Sequence, residues 1–276
     1  MLAGVEWAPP PLCPYEPLIV NVALTGAVPR TGDNPAVPVT PEQIVRDAIA
    51  CAEAGASMVH IHVRDDNEDP IHDRTRYAQV IEGIRNIVPE LVIGVTTTGR
   101  AGSHDVASRA VGVDLPGALR PDMASLTLGS FNFPNVISHN PPDIIVGLLE
   151  RMNERGIKPE LEVFEAGMVN TALLLASRGL LASPPYFNIL LGSMGSAPAF
   201  VATLAHIVER LPQDAVWAAA GIGMFQRQMV MAATVMGGNV RTGLEDAPRP
   251  TGDTPQTNRS AVEFAVEVAR LLGRDI

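Results

Sequence analysis

At 276 residues, with 46% hydrophobic side chains and 24 glycines and 24 prolines dispersed along its length, the chain is sized for one large core. A single α/β barrel commonly occupies roughly 250 residues, so one domain over 1–276 is the expectation. The formal charge of −10, with no block of basic residues, excludes nucleic acid as the natural partner, since phosphate binding draws on clustered cations; an anionic small molecule would need local arginines.

The first β-rich run, 18–24, is followed by a proline-containing loop over 31–39. A helix is predicted over 41–54, with Thr40 as N-cap, Pro41 at the first helical position and Gly55 at its stop. Runs at 58–63, 92–97 and 123–128 come next, with a helix over 75–88 that stops before Pro89. A helix over 142–155 ends at Gly156 and leads to runs at 160–164 and 187–191. A helix over 197–210 stops short of Pro212, runs at 216–220 and 239–243 follow, and the last helix covers 259–272. Met224, Met229, Met231 and Met236 are expected to pack the helix after the seventh run. Eight runs, each with room for a helix before the next, are the alternation of parallel strands, and point to the α/β class and a closed (β/α)₈ TIM barrel.

No run of about 20 apolar residues is present to cross a membrane. Residues 1–17 lack the basic start and apolar run of a signal peptide, and Cys13 and Cys51 alone indicate no disulfide framework. A cytoplasmic setting is therefore expected.

In such a barrel the reactive groups sit at the C-terminal ends of the strands. His60 and His62 alternate on the second run, so both imidazoles point to one side and form a ready chelate for zinc; the competing reading is two structural histidines. The other four histidines, His72, His104, His139 and His206, fall in helices or loops, which makes Glu245, just past the eighth run, the better third ligand. Three protein ligands leave a coordination position open. Arg241 and Asp246 bracket Glu245; an aspartate beside a metal and held by an arginine can take a proton from carbon, although a strand-end salt bridge gives the same pattern. Thr96, Thr97 and Thr98 offer hydroxyls to a carboxylate but are also ordinary strand residues, and the loop from Gly192 to Gly195 could approach a phosphate or pantetheine chain.

Taken together, the motifs Leu24-Thr25-Gly26-Ala27, Thr40-Pro41-Glu42, His60-Ile61-His62-Val63-Arg64, Pro121-Asp122-Met123-Ala124, Glu162-Val163-Phe164-Glu165 and Gly243-Leu244-Glu245-Asp246 resemble the beta-keto acid cleavage enzymes over nearly the whole chain. The resemblance implies a zinc-bearing barrel, normally a homotetramer, that converts a β-keto acid and acetyl-CoA into acetoacetate and a new acyl-CoA by Claisen and retro-Claisen steps. It implies His60, His62 and Glu245 as zinc ligands and Asp246, paired with Arg241, as the base. Thr97 stands where the family has a serine near the substrate carboxylate; Ser125 and Glu162 or Glu165 fall on motifs that face the pocket, Thr127 replaces a family asparagine there, and Thr96 joins them as a substrate-binding candidate. Family members acting on an amino-bearing keto acid place a glutamate where this chain has Val28, so a neutral substrate is expected. A metal-dependent hydrolase is the alternative enzyme reading and predicts further histidines at later strand ends; a non-catalytic binding protein is the other.

Overall fold

The computed structural model describes residues 15–100, 104–133, 136–249 and 256–276. Cys13, and all but the last residues of the stretch read above as carrying no leader, lie outside them.

Eight parallel strands close into a barrel: β1 (Val20–Ala23), β2 (Met58–Ile61), β3 (Val92–Val95), β4 (Met123–Thr127), β5 (Lys158–Val163), β6 (Tyr186–Leu191), β7 (Val216–Gly221) and β8 (Asn239–Thr242). They follow one another around the ring in chain order, and β1 closes it by pairing with both β2 and β8. The helices between them are α1 (Pro41–Glu53), α2 (Arg74–Arg85), α3 (Val106–Arg109), α4 (Pro142–Arg155), α5 (Ala166–Ser177), α6 (Val201–Val208), α7 (Gln226–Val235) and α8 (Asn258–Leu271). Two short antiparallel ribbons, Val63–Arg64 with Pro70–Ile71 and Phe131–Asn132 with Ile137–Ser138, rise from the strand ends.

Local chemistry accounts for the helix boundaries. Thr40 caps α1 in a reciprocal box with Gln43, and Gly55 follows the helix with φ 112°. Gly156 ends α4 in the left-handed conformation, φ 63°. The helix expected over 197–210 starts later, at Val201. The reason is that residue 197 is tied down on both sides: its N–H donates to the Phe164 carbonyl, and its own carbonyl accepts from Gly192 N–H. The sequence gives little periodic signal for α5, which is apolar almost throughout. Of the four methionines expected to pack around α7, Met229 is buried and Met236 partly so, while Met224 and Met231 are exposed.

Alternation sorts each strand into two faces. Val59, Ile61, Ile93, Phe187, Ile189 and Val240 point outward and form the main core under the helices. Facing inward, Met58, Met123, Tyr186 and Ala218 plug the base of the barrel, and the layer above them is polar. Phe187 is fully buried on the outer face, so Phe187→Ala is expected to lower stability by about 3–5 kcal/mol. Urea unfolding should show the midpoint falling with an unchanged slope.

Candidate active site

The cavity at the C-terminal mouth of the barrel holds about 410 Å³. Its polar wall includes His62, Thr96, Thr127, Glu162, Arg241, Glu245 and Asp246, and Phe131, Phe133 and Phe164 form an aromatic wall. The two walls meet where the strand ends converge.

His60 Nε2 and His62 Nε2 lie 3.2 Å apart, and Glu245 reaches both, with Oε1 3.2 Å from His62 and Oε2 3.8 Å from His60. Among the described residues this is the one group of three whose donor atoms gather within metal-binding reach, all within 4.8 Å of one another. Glu245 Oε2 is buried with no hydrogen-bond partner and lies 3.8 Å from His60 Nε2, while Oε1 of the same carboxylate lies 3.2 Å from His62 Nε2. A carboxylate with one orphaned oxygen, its two oxygens each beside an imidazole nitrogen, fits a divalent cation of the borderline-soft kind that His and Glu bind.

The arrangement has a built support. Glu160, on the inner face of β5, accepts from Asn21 Nδ2 at 2.8 Å and Asn188 Nδ2 at 2.7 Å through one oxygen, and sits 2.8 Å from His60 Nδ1 through the other. Burial opposes its charge, but His60, Arg241 and the Asn21 amide hold its carboxyl below the usual range. An ionised carboxylate can only accept, so His60 Nδ1 carries a proton donated to Glu160, which leaves Nε2 as the nitrogen facing His62 and Glu245. On the other side, Gly26 (φ 66°) lies so close to Glu245 that a Cβ there would fall 2.5 Å from Glu245 Cγ. Arg64, fully buried, fixes that turn by donating to the carbonyls of Thr25 and Gly26.

Burial also sets the charge states. It pushes His62 down to about 4, which keeps this imidazole neutral. For Glu245 burial is overcome by His62, Arg241 and His60, and its carboxyl lies well below the usual range. Asp246 behaves differently: burial wins over Arg241 and raises it. Arg241 clasps Asp246 with Nε at 2.8 Å and Nη2 at 3.1 Å, and Nη2 also lies 3.2 Å from Glu245. The result is an oriented carboxylate of increased basicity next to the candidate ligands.

Of the residues expected at the site, Val28, Thr96, Thr127 and Glu162 line the cavity with the metal group and the Arg241–Asp246 pair. Three do not. The Thr97 hydroxyl donates to the Ser125 carbonyl at 2.6 Å, because strand parity turns residue 97 into the wall. The Ser125 hydroxyl accepts from Thr97 N–H. Glu165 lies beyond the end of β5, exposed at the N-cap of α5. Glu160 and Arg100 were not singled out from the sequence. An acidic residue two positions before Glu162, and hence on the same face, was the available signal for Glu160.

The model of the beta-keto acid cleavage enzyme family matches residues 17–276. The chain belongs to this family. As a beta-keto acid cleavage enzyme it is a transferase that cleaves a carbon–carbon bond and forms an acyl-CoA. It is 40% identical to 3-oxoadipate:acetyl-CoA acetyltransferase of Cupriavidus necator over 95% of this chain and 91% of that one. It is 38% identical to 3-keto-5-aminohexanoate cleavage enzyme of Fusobacterium nucleatum, over 95% and 94%. Among solved structures, apo ObcA superposes with a TM-score of 0.80 at 20% identity, covering 88% of this chain and 63% of the other, a likeness of fold alone.

Replacing Gly26 tests the ligand assignment without touching a ligand. Gly26→Ala is expected to displace Glu245 and weaken divalent-metal affinity by about 10–100-fold, read by competition with a chromophoric chelator. Unchanged affinity would remove Glu245 from the site.

Proposed function

We propose that the enzyme holds zinc on His60, His62 and Glu245 and converts a β-keto acid that carries no ammonium group, with acetyl-CoA, into acetoacetate and a new acyl-CoA. The observation that carries this reading is the buried Glu245 carboxylate, one oxygen of it unpartnered, facing the His60 and His62 imidazoles beside the Arg241–Asp246 pair. The names of the two relatives, which pair keto acids with cleavage or with acetyl-CoA, support the reaction class.

Zinc bound there supplies Lewis-acid polarisation of the keto oxygen, which acidifies the adjacent carbon. Asp246, raised by burial and held by Arg241, takes the proton from that carbon. The carbanion attacks the thioester carbonyl of acetyl-CoA, a carbon–carbon bond forms, and the CoA thiolate leaves. That thiolate adds to the original keto carbon; the bond between it and the former carbanion carbon breaks, giving the new acyl-CoA and the acetoacetate carbanion. Asp246 returns its proton to that carbanion. Val28, 60% exposed on the cavity rim, offers no counter-ion to an ammonium group, which supports a substrate without one. A cytoplasmic homotetramer belongs to the same reading. Support for assembly comes from the exposed apolar side chains Leu173, Leu174, Phe200, Val201, Met231 and Val235.

Zinc-loaded protein given acetyl-CoA and a panel of β-keto acids is expected to release acetoacetate, followed by mass spectrometry; chelation should stop it and added zinc restore it. Asp246→Asn should keep its zinc and lose about 10²–10⁴-fold in kcat. Turnover by metal-free protein, or no acetoacetate from any keto acid, would overturn the reading.

A further inference from the structure

A β-keto acid is an anion, and it must enter a site that already contains four carboxylates: Glu160, Glu162, Glu245 and Asp246. Arg241 is committed to them. Its Nε and Nη2 serve Asp246 and Glu245, and its Nη1 is buried 3.6 Å from Glu162 and 3.9 Å from Glu160. Even with a divalent ion on His60, His62 and Glu245, the four carboxylates and Arg241 leave the site formally negative, so a further cation is needed to offset the charge of the incoming substrate.

Arg100 is in the right place to do so. Its side chain lines the same cavity, past the end of β3. Its Nε donates to Thr98 Oγ1 at 3.3 Å, and its guanidinium stacks over the Phe133 ring, 4.2 Å from the centroid. Among the described residues no carboxylate lies within ion-pair distance of it, and its two terminal nitrogens have no protein acceptor. Arg241, the other arginine lining this cavity, is paired with carboxylates. Cation–π stacking covers one face of the guanidinium and leaves its edge, where bidentate carboxylate binding takes place. A partly buried guanidinium with no counter-ion carries an uncompensated desolvation cost, and burial lowers its pKa despite the fields of Glu245 and Glu162. An anionic ligand relieves that cost, so the site is electrostatically incomplete until one binds.

We infer that Arg100, stacked on Phe133, is the specificity residue that anchors a carboxylate of the keto acid in this cavity. The inference deepens the function proposed above and rests on it for the identity of the ligand. Two sources of that carboxylate share the chemistry: the one adjacent to the keto-bearing carbon chain in every β-keto acid, and a second one at the far end of a dicarboxylic substrate. The expectation of a neutral substrate is thereby relaxed to one without an ammonium group.

The test compares 3-oxohexanoate with 3-oxoadipate, which have the same six-carbon chain and differ in a methyl or a carboxylate at the far end, using wild-type, Arg100→Met and Arg100→Lys in the zinc-loaded enzyme. Binding is read by calorimetry without acetyl-CoA, alongside KM for both substrates. Arg100→Met is expected to weaken keto acid binding by about 10–100-fold, Arg100→Lys to recover part of the loss, and KM for acetyl-CoA to stay within about two-fold. Equal losses with both ligands assign the common carboxylate; a loss confined to 3-oxoadipate assigns the distal one. Unchanged keto acid binding in Arg100→Met, no keto acid binding by the wild type, or an effect on acetyl-CoA alone would overturn the inference. Binding that depends on Arg100 without any turnover would instead sink the proposed reaction and leave the anchor standing.

Discussion

Four carboxylates meet in the upper interior of this barrel, and the buried guanidinium of Arg241 is what allows them to. It lies within 4 Å of Glu160, Glu162, Glu245 and Asp246. Two like charges about 4 Å apart repel by roughly 4 kcal/mol at an effective dielectric constant near 20, so the group could not remain ionised in the absence of a central cation. Arg241 therefore decides more than the orientation of Asp246. It keeps Glu245 charged in a buried place, while burial still raises Asp246 and Glu162. One cation thus produces two kinds of carboxylate from neighbouring positions in sequence: a permanently ionised one suited to a metal and a more basic one suited to a proton.

The barrel provides the geometry that makes this possible. Its inner face is apolar at the base, where Met58, Met123, Tyr186 and Ala218 fill the interior, and polar one layer up, where Asn21, Asn188 and His60 converge on Glu160. The floor excludes water from below and the amide pair satisfies one Glu160 oxygen, leaving the other to orient His60. Rigid strand positions hold the ligands, and the loops that follow them supply the cavity walls.

Much of this was legible in the sequence. Alternation made His60 and His62 partners, and the pattern from Arg241 to Asp246 set a cation and two carboxylates at one strand end. The number of strands followed from the eight β-rich runs, and cap signals such as Thr40-Pro41 and Gly156 marked the helices between them. The misplacements at Thr97 and Glu165 share a cause: residues near a strand end were treated as facing the cavity without following parity from the strand interior, whereas Ser125 has the parity of Met123 and Thr127 and its hydroxyl is taken up by Thr97 N–H. Gly94 points inward, so Thr96 does too and Thr97 cannot. Glu160 escaped notice because attention to strand ends passes over a residue in mid-strand whose work is to hold another side chain. Arg100 escaped because its significance is an absence of partners, and only coordinates reveal what a cation lacks.

The three candidate ligands come from either side of the place where the ring closes. His60 lies on β2 and Glu245 follows β8, and between them stands β1, whose pairing with both joins the two ends of the chain. A chain that has laid down its first seven strands has two imidazoles and no third ligand. Any metal taken up here consequently binds the closed ring and not its precursors, and by linkage it adds about 2.7 kcal/mol to closure at a hundred-fold excess over its dissociation constant. A metal held by the three candidate ligands would make the site a clasp as well, and its supply would help set how long the finished barrel stays shut.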